Sequence, residues 1–487
     1  MSEAPNVPQR PWWLRWWVVL LAGLAGALVA GILSLYSIRA AGRAQLRAQL
    51  DAWSAAGLPT TWEQVLADVP AADPELARRW LALCRRLSSI EEPANLHTEL
   101  IRSWPAPPDL GILEREHPVA TFTAARELTA EADAQLAAGL PALSVFSFID
   151  RETVNGQVTN EHFKRLDELF SDHFFVLNLG HLRFLSVLPT HGLPAQDLPA
   201  AIAQGRVLRE ALRPGSVEFY NPNTETLAAW HVRLVLHAYA AGSVAVGPAL
   251  EALLEPGLWS DQLRQWRNGC SLYVAWSRDF CERDERKVLR YLEIRPPVFP
   301  RKARNILPFL REQYRWHFRQ AAGLAQLLSQ VQHRCAEIDD LLAGRPGGLT
   351  LLPPLHEAPE WMVAVKSWSL EKWEPAPYAT SFRLRSAALA IRAVECWRQT
   401  GALPADHAAL LALGAVEAAP PHVLDGALLY ERLGPLAFRI IPDLGGASPW
   451  PRHVTVPPRP VGGAGSTRFD AFLVEVDLTT AEQQRKR

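Results

Sequence analysis

Seven titratable residues crowd into one stretch: Glu161, His162, Asp167, Glu168, Asp172, His173 and His181. Carboxylates and imidazoles at this density are the donor set of a metal site in a helical core. On a helix, Glu161, Glu168 and Asp172 share one face. The same stretch carries Phe163, Leu166, Leu169, Phe170 and Phe174, which form the apolar stripe and turn the acids toward solvent. The cluster is read as a solvated helix face, and no metal ligand is assigned. His231 and His237 lie six apart, off any shared helical face, and read as surface or partly buried histidines.

Other chemistries find less. The chain has no HExxH, no Cys/His spacing that fits zinc and no GxSxG nucleophile elbow. Residues 462–468, GGAGSTR, offer glycines and a basic group to a phosphate but lack the Lys-Ser/Thr of a P-loop, so they read as a loop. The five cysteines, Cys84, Cys270, Cys281, Cys335 and Cys396, are scattered without a CxxC pair. They read as buried free thiols; Cys270 and Cys281 are the closest in sequence and are the pair to bridge in an oxidising compartment. Of 18 Trp, a set comprising Trp62, Trp80, Trp230, Trp259, Trp266, Trp276, Trp361, Trp368, Trp373 and Trp397 is rich enough to line a groove, but reads first as packing. No catalytic, cofactor-binding or metal-ligating residue is assigned.

What must position any site is a chain of 487 residues with 50 basic and 51 acidic side chains. A net charge of −1 leaves no electrostatic footprint for nucleic acid. Six Lys against 44 Arg, with abundant Ala, Leu and Pro, reads as the product of a GC-rich bacterial genome. The dominant element is Trp16 to Tyr36, an uncharged apolar run that ends only at Arg39. About 20 helical residues cross a ~30 Å hydrocarbon core, and in lipid an isolated segment must be helical to pair its backbone groups. Trp12, Trp13, Trp16 and Trp17 supply an interfacial belt.

The run is read as an uncleaved single-pass anchor. Arg39 and Arg43 stand where a signal-peptide cleavage site needs small residues. Arg10 and Arg15 precede it, whereas Arg39, Arg43 and Arg47 follow. The positive count leans toward a cytoplasmic bulk, but long domains translocate largely regardless of charge. The orientation taken is an inner-membrane anchor with the bulk in the periplasm; the cytoplasmic orientation is the alternative. Ala22, Gly26, Ala30 and Ser34 repeat every four residues, as do Gly23, Ala27 and Gly31, which permits self-association of the anchor.

Beyond it, Arg39, Arg43 and Arg47 line one helical face, suited to acidic headgroups or simply solvated. Thr60 with Glu63 has capping-box spacing. Helices are predicted from Asp73-Pro74, over 121–138 before Gly139, in several segments between 161 and 269, and from Arg301 to Leu342. Residues 144–160 are ambiguous and 344–355 read as a boundary. A helix with Leu384, Ala388, Ile391 and Val394 inward follows and ends at Gly401. Two strands around Leu433-Gly434-Pro435 and a third in FDAFLVEVDL complete the chain. The expected fold is mainly α, with an N-terminal transmembrane helix, a large antiparallel helical domain and a small C-terminal α+β unit. The expected boundaries are 1–15 tail, 16–36 anchor, 37–343 helical domain, 344–378 linker, 379–480 α+β domain and 481–487 tail.

Two stretches carry a family resemblance. LDAWSAAGLPTTWEQVLADVP, residues 50–70, follows the anchor. Arg385, Arg392 and Glu395 precede Gly401-Ala402-Leu403-Pro404, then Leu410 and Leu413, then Asp425-Gly426-Ala427-Leu428-Leu429-Tyr430. This order is similar to that of a class of bacterial single-pass membrane proteins of uncharacterised activity, whose closing unit distantly resembles the globular domain of type II secretion pseudopilins. The resemblance implies a helix followed by a hairpin, and a link to secretion machinery. The acidic cluster that binds calcium in major pseudopilins is missing, because Asp443 is followed by LGGASPWP. The prepilin cleavage signature and the early glutamate of the apolar run are missing as well. The functional expectation is therefore a membrane-anchored envelope component that binds or scaffolds an envelope protein partner. The alternative is a membrane-tethered hydrolase with a noncontiguous site.

Overall fold

The computed structural model describes residues 12–61, 104–106, 119–137, 222–254, 306–343, 352–355, 358–366, 375–413, 428–444, 467–469 and 472–486, with isolated residues between them. The chain is mainly helical, with a long apolar N-terminal helix and a small C-terminal antiparallel sheet. It divides into two compact units. The first comprises residues 1–57, 276–330 and 353–366; the second comprises 58–275, 331–352 and 367–487.

In the first unit, helix α1, Trp12–Ala55, runs 44 residues, about 66 Å at 1.5 Å per residue. Its apolar part is long enough to cross a membrane and none of it is buried. Leu24 and Leu28 are each 66 % exposed. After Arg39 the same helix changes character, and Gly42, Leu46, Leu50 and Trp53 form a buried stripe at helical spacing. The predicted helix over 301–342 forms as α5, Ile306–Tyr314, a π-helical turn, Arg315–Arg319, and α6, Gln320–Leu342. Residues 320–330 of α6 belong to this unit. Gly42 is what lets α1 approach: a Cβ there would stand 3.0 Å from the Ala322 backbone nitrogen. Gly323 plays the same part toward α7, Glu360–Lys366, where a Cβ would stand 2.8 Å from Met362 Sδ and 3.0 Å from Ala358 Cβ. Gln330 Nε2 and Lys366 Nζ both donate to the Pro353 carbonyl, at 2.7 and 2.8 Å.

The second unit is built around α8, Pro375–Thr400. It packs against α3, Pro222–Ala240, α4, Val246–Leu253, the short α9, His407–Leu411, and the sheet. The residues expected to face inward, Leu384, Ala388, Ile391 and Val394, are buried. Phe382, Ala387, Leu389, Ala390, Ala393 and Trp397 are buried as well, so this helix is covered on more than the single face its sequence advertises. Alanines at so many of these positions permit close neighbours on several sides. Helix α2, Val119–Ala137, adds Phe122, Ala125, Leu128 and Ala132 to the same core.

The sheet has the order β1-β2-β4-β3, all antiparallel: Leu428–Arg432, Ala437–Pro442, Val474–Asp477 and Arg468–Phe469. Alternation places Leu428, Tyr430, Phe438, Ile440, Val474 and Val476 in the core. The three predicted strands are present; the two-residue β3 has too little sequence to announce itself. Helix α10, Thr479–Lys486, follows β4.

The capping box at the end of α1's loop lies one residue beyond the predicted Thr60–Glu63 pair. Thr61 Oγ1 accepts from the Gln64 backbone N–H at 3.2 Å, and Gln64 Oε1 accepts from the Thr61 and Thr60 N–H groups at 3.2 and 2.8 Å. Gln reciprocates as well as Glu does, so two overlapping registers were available.

Candidate functional site

The feature with the plainest functional chemistry is α1. From Trp16 to Tyr36 it offers no charge and no hydrogen-bonding side chain save the Trp, Ser34 and Tyr36 at or near its ends. Its surface is that of a protein interior turned outward, the composition of a helix that could cross a membrane. Gly23, Gly26 and Gly31 have open space where a Cβ would stand, so the small-residue faces are uncovered. The buried stripe from Gly42 to Trp53 then fixes this helix, without a break, to the rest of its unit.

The second unit assembles three polar clusters. In the first, Tyr239 Oη donates to Glu395 Oε2 at 2.8 Å, Gln399 Nε2 donates to Glu395 Oε1 at 2.9 Å, and the Arg398 guanidinium lies 4.6 Å above the Tyr239 ring. Arg398 Nη2 also donates to the Pro105 carbonyl at 3.3 Å. Burial drives the Tyr239 phenol well above its ordinary value, so it stays a hydrogen-bond donor rather than becoming a phenolate. Nearby, Trp104 Nε1 donates to the Leu236 carbonyl at 2.9 Å, and Thr467 Oγ1 donates to the Trp104 carbonyl at 2.7 Å. These bonds join α3, α8 and the β3 edge around one buried indole.

In the second cluster Arg334, its side chain fully buried, donates to Glu337 Oε2 at 2.9 Å and to the Thr350 carbonyl at 3.1 Å, and lies 5.5 Å from the Trp266 ring. Arg267 makes a two-pronged contact with Asp339, 3.2 and 3.3 Å. Here Cys270 meets Cys335, both free and buried. Their mutual hydrogen bond, then burial, push the Cys270 thiol well up. The partner of Cys270 in space is thus Cys335, 65 residues away, whereas its nearest neighbour in sequence, Cys281, lies outside the described residues along with Cys84.

The third comprises the histidines of α3. His231 Nε2 donates to the Ala252 carbonyl at 2.8 Å, and His237 is held at about 3, chiefly by burial and secondarily by Arg233. Both side chains are buried, not surface or partly buried as the sequence implied, because α4 and α8 cover the helix. Burial keeps the His237 imidazole neutral at neutral pH.

The Glu161–His181 cluster lies outside the described residues, as do residues 144–160, 462–466, Trp62, Trp80, Trp259, Trp276, Trp368 and Trp373. Trp230 and Trp397 belong to the core, Trp266 packs beside the smaller cluster of Leu263, Ile338 and Leu341, and Trp361 is half-buried. Among the described residues no three His, Cys, Asp or Glu side chains converge as a metal site would require. The titratable groups that do meet bond to one another and to backbone carbonyls within the second unit.

The motif residues of the C-terminal unit have a similar role. Gly401 takes φ +77° to end α8, Asp406 caps α9 by accepting from the Ala409 N–H at 2.8 Å, and Tyr430 Oη donates to the Pro404 carbonyl at 3.2 Å. The Tyr430 backbone N–H donates to His407 Nδ1 at 3.2 Å. The chain matches no protein-family model, no curated protein and no solved structure.

Proposed function

We propose that this protein is a membrane-anchored envelope component that binds or scaffolds a partner, with Trp16 to Tyr36 as its single uncleaved transmembrane segment. The observation that carries the reading is the continuity of α1: the exposed apolar part and the buried stripe Gly42–Leu46–Leu50–Trp53 are one helix. A cleavage after the apolar run would leave that stripe in place but detach the body from the bilayer. An uncleaved helix holds the folded body at a fixed distance from the membrane, which is what a scaffold requires. The helix-then-antiparallel-sheet order at the C-terminus supports the pseudopilin-like resemblance and, with it, an association with secretion machinery. The orientation proposed is inner membrane with the bulk in the periplasm.

Reporter fusions after residue 50 and at the C-terminus test the orientation. Periplasmic activity of both is expected, and cytoplasmic activity of both overturns the localisation and the secretion link together. Edman sequencing of the membrane fraction tests the anchor: an intact N-terminus is expected, and a new N-terminus between residues 34 and 45 overturns it. Crosslinking in membranes followed by purification tests the scaffold. A reproducible envelope partner is expected, and recovery of the protein alone in several detergents counts against it.

A further inference from the structure

The anchor is not the only uncovered apolar surface in its unit. Helix α5 buries no residue, and Ile306, Leu307, Leu310 and Tyr314 are all exposed, Leu307 by 78 %. Their spacing puts them on one side of the helix. Exposed apolar side chains grouped in this way mark a docking surface.

Two further observations say what covers it. Charge is the first. Between residues 301 and 319 the sequence carries Arg301, Lys302, Arg304, Arg311, Arg315 and Arg319 against one acid, Glu312. That acid is already engaged: Glu312 Oε1 accepts from the Glu360 N–H at 2.8 Å, and its other oxygen lies 3.6 Å from Arg315. A short apolar face set in basic sequence is complementary to an anionic lipid surface. Position is the second. Gly42 touches Ala322, six residues beyond the last apolar residue of the anchor, or about 9 Å along α1. Tyr314 is eight residues from Ala322 along a continuous helical run, about 12 Å. The apolar, basic segment is thus tied to the anchor's own helix through one close contact, Gly42 against Ala322.

We infer that α5 is a second membrane contact, lying in the headgroup region of an anionic bilayer with Leu307, Leu310 and Tyr314 toward the acyl chains. The inference rests on the reading of α1 as an anchor. With two contacts, the unit cannot swing freely about the anchor.

The test uses the full-length protein in phosphatidylcholine vesicles containing phosphatidylglycerol and a phospholipid with a diazirine in its acyl chain. After irradiation, adducts are mapped by mass spectrometry. Adducts are expected in residues 16–36 and 306–314. Replacing phosphatidylglycerol with phosphatidylcholine is expected to lower the second set at least threefold and leave the first. The double variant Leu307→Glu/Leu310→Glu, altered only at exposed positions, is expected to lose the second set at least tenfold and keep the first. Adducts in 16–36 alone overturn the α5 contact and leave the anchor standing. Adducts in neither region overturn the anchor and the contact together. Crosslinks from 306–314 to a second, isotope-labelled copy, in place of lipid adducts, overturn the proposal in favour of self-association.

Discussion

Helices α1 and α8 are both long and alanine-rich, yet they meet opposite surroundings. The apolar part of α1 carries no charge from Trp16 to Tyr36, and all its side chains but the half-buried Leu35 are exposed. Helix α8 carries Arg383, Arg385, Arg392, Glu395 and Arg398, and most of its apolar residues are buried. Charge in a water-soluble helix is affordable because each group finds water or a partner, as Glu395 does in Tyr239 and Gln399. Even there burial has consequences, for it pulls the Arg385 guanidinium down to about 10. The difference teaches that the absence of charge, more than the abundance of apolar residues, separates the exposed apolar helix from the buried one.

The sharpest break of this comparison is one substitution made in each helix. Ile391→Asp places a carboxylate at a fully buried site and is expected to abolish the folded core, costing more than about 4 kcal/mol. Loss of the cooperative denaturant transition in detergent would report it. Leu24→Asp is expected to leave that transition in place and to weaken insertion by about 2.5–3.5 kcal/mol, read in a membrane-integration assay. If Leu24→Asp unfolded the body as Ile391→Asp does, the apolar run would be a core helix.

A second pair sharpens the boundary within α1 itself. Gly42→Leu meets the Ala322 backbone and is expected to destabilise the first unit by about 1–3 kcal/mol. Gly26→Leu, with open space at its Cβ, is expected to leave stability unchanged. Equal effects at the two sites, measured by limited proteolysis against denaturant, would erase the change of character assigned near Arg39.

The histidine of α3 tests the opposite property of the core, its intolerance of charge. His237 titrates near 3 when folded and about 6.5 when unfolded. The unfolded state therefore binds the extra proton below about 6.5, and stability must fall with pH between about 6.5 and 3, by up to ~1.4 kcal/mol per pH unit. Above 6.5 the contribution is fully present. His237→Gln is expected to flatten that part of the stability–pH curve, and an unchanged slope would place the imidazole in water. The smallest effect belongs to one buried hydrogen bond of the same body. Tyr430→Phe removes the bond to Pro404 and is expected to cost about 1 kcal/mol in a denaturant titration.

Much of the architecture was legible because the signals were local. The uncharged run required only composition, and the hairpin at 428–442 showed alternation on both sides of Leu433-Gly434-Pro435. The inward residues of α8 followed from helical spacing. Other features had no local signal. Thr60–Glu63 and Thr61–Gln64 fit the same capping rule, so the register depended on which residue the preceding loop delivered. The meeting of Cys270 with Cys335 joins helices far apart in the chain, and the burial of His231 and His237 depends on α4 and α8. The apolar face of α5 lies within the helix predicted from Arg301 to Leu342, and nothing local in that stretch says whether the face is covered.

The sequence alone therefore determined the long apolar helix, the helical class and the β1–β2 hairpin, since each follows from the spacing of neighbouring residues. Only the tertiary structure decided which polar residues would be sealed inside, which thiols would meet, and which apolar side chains would stay exposed. Burial is a property of what packs against a residue, and that is set by chain segments too distant for any local pattern to record.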